Sequence, residues 1–316
     1  MNIVVLDGWT LNPGDLSWVP LEVLGDATVY DYTAPEDTIA RIGDAPVVLT
    51  NKTLLTAEIF AACPALRYVG VLATGYNVVD VEAAAARGIC VTNIPSYGTA
   101  AVAQFTFALL LELCHRIGEH DSAIRAGEWG RNGSFCFWHG SLIELEGMTM
   151  GLIGLGRIGR RVAAVAQAIG LQVLAYDPTC SDAPEGVKLV SLEALLAASD
   201  IVSLHCPLTA DNAGMINRKT IAQMKRGAIL LNTARGGLLN EADVADALAD
   251  GRLSGVAVDV LSTEPPKADN PMLTAPNCVI TPHIAWAPLA TRQRLMDIAI
   301  ENVRRFLAGE TVNWVN

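Results

Sequence analysis

Positive charge is scarce in this 316-residue sequence: 22 Lys and Arg stand against 33 Asp and Glu, a formal net charge of −11. A polyanion is held by a basic stripe that displaces its counterions, so this balance argues against nucleic acid or an anionic membrane surface as partner. Charged residues of either sign make up only 17%, against 51% hydrophobic, the proportion of a chain that buries a large core. Long apolar runs are missing too. The most apolar segment, residues 100–114, is interrupted by Gln104, Thr106 and Glu112 and falls short of the roughly 20 residues a bilayer requires. The seven cysteines, at positions 63, 90, 114, 136, 180, 206 and 278, show neither metal-ligand spacing nor a disulfide framework. That pattern predicts no metal site and suits a reducing cytoplasm. Residues 1–7 read as a first strand and lack the basic start and longer apolar core of a secretion signal. No internal repeat or low-complexity linker is visible.

The length exceeds the size at which one hydrophobic core usually keeps growing, so two domains are expected. Short apolar runs at 2–6, 47–50, 68–72 and 89–91 read as strands, with helical patterns at 35–42, 56–62 and 81–87 between them. This is a small parallel sheet with helices on both faces. From 99 to about 117 runs a helix that is apolar on nearly every side, the mark of a helix buried between domains or in a subunit interface. Residues 118–147 are the least regular part. There Gly127, Gly130, Gly133 and Gly140 are interleaved with Trp129, Phe135, Phe137 and Trp138, and a loop exposing that many aromatics has something to cover. Strands at 201–204, 228–232, 256–260 and 279–280 then alternate with helices near 192–198, 218–224 and 241–249, the last with Asn240 placed as its N-cap. A final helix, 289–307, returns to the first domain. One domain therefore comprises 1–98 and 285–316, and the other 99–284.

The chain is organised around Gly154-Leu155-Gly156-Arg157-Ile158-Gly159, which follows an apolar run at 148–153 and opens an Ala-rich helical segment ending near 169. Strand, turn and helix in this order make a dinucleotide fingerprint. Gly154 permits the tight turn, Gly156 lets backbone approach a pyrophosphate, and Gly159 lets the helix lie close to the strand. The helix start then offers N–H groups and a dipole to the phosphates, with Arg157 near the pyrophosphate and Arg160 and Arg161 on a solvated helix face. A second apolar run, 171–176, ends in Asp177, 23 positions beyond Gly154. An acid at this spacing accepts hydrogen bonds from the ribose hydroxyls of NAD and repels the 2′-phosphate of NADP. No Lys or Arg follows through Asp182, so NADH is expected to be preferred over NADPH.

Three clusters stand at later strand ends: Asn232-Thr233-Ala234-Arg235, then Asp259 to Glu264, then Thr281-Pro282-His283. Ligands of an open parallel sheet bind beyond the carboxyl ends of its strands, so Arg235, Glu264 and His283 are placed to converge there. A guanidinium can hold a carboxylate or carbonyl oxygen by forked hydrogen bonds, and an imidazole can move the proton that accompanies a hydride. Glu264, bonded to that imidazole, would fix its tautomer and favour its protonated form.

The fingerprint, these clusters and the run 75–98 together resemble the D-isomer-specific 2-hydroxyacid dehydrogenase family, over essentially the whole chain. The resemblance implies a Rossmann-type doubly wound parallel-sheet NAD domain plus a smaller, discontinuous, flavodoxin-like α/β substrate domain. It also implies that Arg235, Glu264 and His283 are catalytic. Formate dehydrogenases of the family place Gln where Glu264 stands, which disfavours formate. Backbone amides of a glycine loop, here Thr74 and Gly75, would hold the substrate carboxylate, although Ala73 stands where many relatives have another Gly. His205, Cys206, Pro207, Thr233, Ala234 and Asp259 would border the NAD, with Asp259 facing the carboxamide.

The phrases 72–77, 93–99 and 283–286 look like the glycerate dehydrogenase (hydroxypyruvate reductase) branch. Hydroxypyruvate adds only a hydroxymethyl arm, so a small pocket with a polar far side is expected. Asn51, Lys52 and Tyr76 lie on loops that can supply one, and Trp286 and Trp138 are candidate walls. Glyoxylate is the expected weaker substrate. Two other readings stay open: the same chemistry on D-lactate, a bulkier acid or a phosphorylated one, and a non-catalytic NAD-sensing binding protein. The apolar helix and the aromatic loop at 99–147 predict a homodimer.

Overall fold

The structure, a computed structural model, describes residues 1–310 and 312–316. The chain divides into two compact units, Met1–Gly98 with Ala287–Asn316, and Thr99–Trp286. The crossing expected after residue 284 comes two residues later. Ala285 and Trp286 stay with the larger unit because the Ala285 N–H donates to Asp259 Oδ2 (2.8 Å) and the Trp286 indole donates to the His283 carbonyl (2.9 Å).

The smaller unit carries five parallel strands: β1 (Asn2–Val5), β2 (Asp26–Val29), β3 (Val47–Thr50), β4 (Tyr68–Val71) and β5 (Cys90–Thr92). Their order is β2-β1-β3-β4-β5, the flavodoxin-like order, which reverses direction between β1 and β3. Every residue of β3, β4 and β5 is buried, which is why these strands read as unbroken apolar runs. The edge strand β2 alternates exposed and half-buried positions around Asp26 and Thr28, so no apolar run announces it. The C-terminal helix Leu289–Leu307 belongs to this unit. Phe306 packs 4.8 Å from the Tyr68 ring. The buried Asn302 amide donates to the Asn93 carbonyl (3.1 Å) and accepts from Asn313 (2.8 Å). Near the helix start, the buried Arg292 makes a forked pair with Asp15 and also donates to the Leu11 and Ala287 carbonyls.

The larger unit carries β6 (Thr149–Ile153), β7 (Gln172–Tyr176), β8 (Val187–Leu189), β9 (Ile201–Leu204), β10 (Ala228–Asn232), β11 (Leu253–Val258) and β12 (Cys278–Ile280), all parallel. The order β12-β11-β10-β9-β6-β7-β8 is doubly wound and reverses between β6 and β9. Alternation along β10 feeds two cores. Ile229 and Leu231 face the helices Thr99–His115 and Arg157–Ala168, whereas Leu230 faces Leu195, Ile221 and Val244 on the other side. Of residues 118–147, expected to be the least regular part, 133–147 form no helix or strand, while the preceding stretch forms the helices Ile117–Arg125 and Glu128–Asn132, separated by a left-handed Gly127. Neither has a buried residue. Exposed pairs such as Arg125–Asp121 (2.8 Å) lie along them, and burying nothing they left no core-facing apolar stripe to read. Among the described residues no single helix is long and apolar enough to cross a membrane.

Leu230 is fully buried in a central strand. Leu230→Ala is expected to cost about 2–5 kcal/mol, read as a lowered urea midpoint by circular dichroism. An unchanged midpoint would remove this strand from the core.

Candidate functional site

The site grows from the reversal between β6 and β9, where the loops leaving the two strands diverge. Gly154, at φ +100°, turns the chain out of β6, and a Cβ there would lie 2.6 Å from the Cys206 N at the end of β9. Gly159 sits against the same turn, since its Cβ would lie 2.2 Å from the Gly154 carbonyl oxygen. Nothing lies within 4 Å of a Cβ built on Gly156. Gly156 is also the N-cap of Arg157–Ala168 and brings no side chain to its opening N–H groups. An open space bounded by a helix start and glycine backbone fits a pyrophosphate.

Asp177, at the end of β7, closes onto this turn. Its Oδ2 accepts the Leu155 N–H (2.8 Å), and its Oδ1 accepts the Thr179 N–H (2.9 Å) and hydroxyl (2.7 Å). Burial pushes the carboxyl up, but the hydrogen bonds outweigh it and hold the group below the ordinary value of 3.8. Arg160, expected on a solvated helix face, instead reaches across to this loop: its Nε donates to the Leu155 carbonyl (3.2 Å) and its Nη2 to the Asp182 carbonyl. Exposed Arg161 lies on the helix face as expected. Arg157 and Ile158 form the first turn of the helix.

At the end of β9, His205 Nε2 pairs with Ser203 Oγ (2.9 Å). Burial lowers the imidazole pKa to about 4, so this ring is neutral near pH 7. Burial likewise raises the Cys206 thiol, with the negative charge of Asp177 adding to the shift. Pro207 follows, exposed.

The remaining candidates lie at the ends of β10, β11 and β12. Asn232, fully buried, shapes the β10 turn by donating to the Arg235 carbonyl (2.9 Å) and accepting the Ala234 N–H (3.0 Å). Arg235 is left exposed at the tip, and its Nη1 donates to the Ala234 carbonyl (2.7 Å). The Thr233 hydroxyl meets that of Thr106 on the long helix (3.1 Å). Glu264 accepts the Leu261 N–H on Oε1 (3.1 Å), and its Oε2 lies 2.7 Å from His283 Nδ1. His283 holds a left-handed φ of 56°. Asp259, 1% exposed, secures that backbone: Oδ1 accepts the Thr281 hydroxyl (2.6 Å) and the Ile284 N–H (2.9 Å), and Oδ2 accepts the Ala285 N–H (2.8 Å). Burial raises the Asp259 pKa above its usual value, and these bonds lower it only in part. The structure thus brings Glu264 and His283 into direct contact and makes Trp286 a neighbour of His283 through its indole bond.

In the smaller unit, the Thr74 hydroxyl donates to the Ile94 carbonyl (2.6 Å), and the Asn93 amide donates to the Thr74 carbonyl (2.7 Å), which fixes the turn before Gly75. Lys52 is exposed, and its loop is held by buried Asp7, whose carboxylate accepts the N–H groups of Asn51, Lys52 and Thr53. Asp7, Thr106 and Asn232 were given no role in the site from sequence. The available signal was a lone polar residue within or closing an apolar stretch, where a buried polar group has to be hydrogen-bonded.

The depressed His205 pKa has a sign that can be checked. The unfolded ring, near 6.5, binds a proton that the folded ring, near 4, refuses. Stability from this group is therefore present above pH 6.5 and lost as pH falls toward 4. In urea unfolding at pH 7 and pH 5, His205→Gln is expected to shrink the native drop in stability. An identical drop in the variant would show that the imidazole is not the group responsible.

Residues 107–285 match the family described as D-isomer specific 2-hydroxyacid dehydrogenase, NAD binding domain. A hydroxypyruvate reductase of Blautia hydrogenotrophica is 54% identical, with 100% of both chains covered. A glycerate dehydrogenase of Methylorubrum extorquens is 39% identical, with 90% of each covered. Among solved structures, the NADPH-dependent glyoxylate/hydroxypyruvate reductase of Sinorhizobium meliloti, in complex with citrate, superposes with a TM-score of 0.86 at 28% identity over 99% of this chain and 97% of that one. Full-length identity of this order, with a family match across more than half of the sequence, means that the chain belongs to the D-isomer-specific 2-hydroxyacid dehydrogenase family.

Proposed function

We propose that the protein is a nicotinamide-dependent oxidoreductase of the glycerate dehydrogenase branch, interconverting hydroxypyruvate and D-glycerate with NADH and accepting glyoxylate more weakly. The observation that carries the reading is the 2.7 Å contact between Glu264 and His283, on a doubly wound sheet whose relatives include the hydroxypyruvate reductase at 54% identity.

An ionised Glu264 only accepts, so the hydrogen on His283 Nδ1 points to it and Nε2 is the atom free to exchange a proton. A nicotinamide held by the fingerprint of the larger unit would supply or receive the hydride at the substrate's C2. His283 Nε2 gives its proton to the carbonyl oxygen during reduction and takes it from the hydroxyl in reverse, while Glu264 stabilises the charged ring. Arg235 holds the substrate carboxylate and carbonyl oxygen through its fork. Asp259 keeps the His283 loop in register and offers the remaining lone pair of Oδ2 to the carboxamide. Gly154, Gly156, Arg157, Ile158 and Gly159 hold the pyrophosphate, and His205, Cys206, Pro207, Thr233 and Ala234 border the nucleotide. In the smaller unit, the Thr74 and Gly75 amides serve a substrate carboxylate and Lys52 is a polar contact. In the larger unit, Trp286 beside His283 is a wall.

NADH preference rests on Asp177, whose ionised carboxylate repels a 2′-phosphate. The homodimer reading rests on apolar surface in one stretch of the larger unit, where Phe135 is 90% and Trp138 63% exposed, with Leu111, Ile117, Ile124 and Leu142 beside them in sequence. Seven free cysteines suit a cytoplasmic enzyme.

Loss of NADH absorbance with a panel of 2-keto acids tests the reaction. Hydroxypyruvate is expected to be turned over best and glyoxylate more slowly; turnover of bulkier acids only would discard the substrate. Absence of turnover with NADH still bound would move the reading to an NAD-sensing protein. His283→Ala is expected to lower kcat by about 10²–10⁴-fold while the NADH Kd stays within about twofold. Retained turnover removes His283 from the mechanism. Size-exclusion with light scattering is expected to give a dimer, and a monodisperse monomer would overturn that assignment.

A further inference from the structure

Arg160 is unused in the reaction described above, yet it is held in a defined position at the adenosine end of the fingerprint. Its Nε donates to the Leu155 carbonyl at 3.2 Å, and its Nη2 donates to the Asp182 carbonyl and reaches Cys180 Sγ at 3.4 Å. All three acceptors are neutral. Among the described residues the guanidinium has no carboxylate partner, and Nη1 keeps both of its hydrogens unengaged.

The acceptors belong to two segments that meet at the ribose end of the site. Leu155 lies between Gly154 and Gly156, while Cys180 and Asp182 lie in the loop that Asp177 opens. Leu155 gives its N–H to Asp177 and its carbonyl to Arg160. A carboxylate and a guanidinium therefore grip the two ends of one residue without pairing with each other. The carboxylate repels a 2′-phosphate. The guanidinium, with both Nη1 hydrogens still to donate, is the group suited to bind one.

We infer that Arg160 is a specificity-determining residue of the nucleotide site, a preset cation whose attraction for a 2′-phosphate is overruled by Asp177. The preference for NADH then rests on a single carboxylate, and removing it exposes an anion site that is already built. This inference rests on the proposed role of Asp177 in cofactor choice.

The test is calorimetric titration of NADH and of 2′,5′-adenosine diphosphate, the phosphate-bearing half of NADPH, into the native chain, Asp177→Ser, Arg160→Met and the double variant, with NADPH titrated into the native chain as well. The readout is the ratio of the two affinities. Loosening the loop alone weakens both ligands and leaves this ratio unmoved. Asp177→Ser is expected to shift the ratio toward the 2′-phosphate by about tenfold or more, and Arg160→Met in that background to take about tenfold back. An unchanged ratio between Asp177→Ser and the double variant overturns the inference, as does an Asp177→Ser ratio equal to the native one. If the native chain binds NADPH as tightly as NADH, the NADH preference fails separately. Arg160→Met in the native background then decides: a selective loss of 2′,5′-adenosine diphosphate binding sustains the role of Arg160, and an equal loss of both ligands ends it.

Discussion

The carboxylate of Asp259 is almost entirely removed from water, which is costly unless its oxygens are met by donors. Here the donors are the Thr281 hydroxyl and the N–H groups of Ile284 and Ala285, all within two residues of His283. Satisfying one buried charge thus fixes the segment that carries the imidazole. It also accounts for the left-handed backbone at His283, a conformation that a bulky residue adopts only when its surroundings over-determine it. The contact with Glu264 and the Trp286 indole bond complete the constraint. A histidine placed in this way has little freedom to leave the position in which proton exchange is proposed, so its geometry is prepared before any ligand arrives.

The two sheets treat their points of reversal in opposite ways. In the smaller unit the N–H groups of Asn51, Lys52 and Thr53, after β3, are filled by the chain's own Asp7 from the end of β1. In the larger unit the space at Gly156 is left open, and the Asp177 carboxylate is turned onto Leu155 and Thr179. The same topology offers backbone donors in both places. An internal anion occupies one of them and a glycine keeps the other clear. A chain with a net charge of −11 therefore handles anionic groups through local donors and a few positioned arginines, since nearby charges dominate a site's potential.

Much of this was legible in the sequence. The fingerprint, the acid at Asp177 and the clusters at Arg235, Glu264 and His283 could be read because each is a short-range pattern tied to a strand end. The buried strands could be read because parallel sheets covered on both faces demand continuous apolar runs. The edge strand β2 and the helices Ile117–Arg125 and Glu128–Asn132 could not, because they bury little. The reach of Arg160 to the Asp182 carbonyl was equally hidden, since a helix-face arginine looks the same whether it meets water or a neighbouring loop.

The sequence by itself determined most of the strands buried on both faces, the glycine fingerprint, the acid that follows β7 and the residue types at the later strand ends, because these follow from local periodicity and spacing. Only the tertiary structure decided that Glu264 and His283 touch, that Asp259 and Asn232 hold the loops bearing His283 and Arg235, and that Asp177 and Arg160 share Leu155. Those contacts join positions 3 to 26 residues apart, and the wider ones form only after parallel strands have aligned their carboxyl ends. Their partners are fixed by strand order and by the cost of leaving a buried polar group unpaired, neither of which is written in any local stretch of the chain.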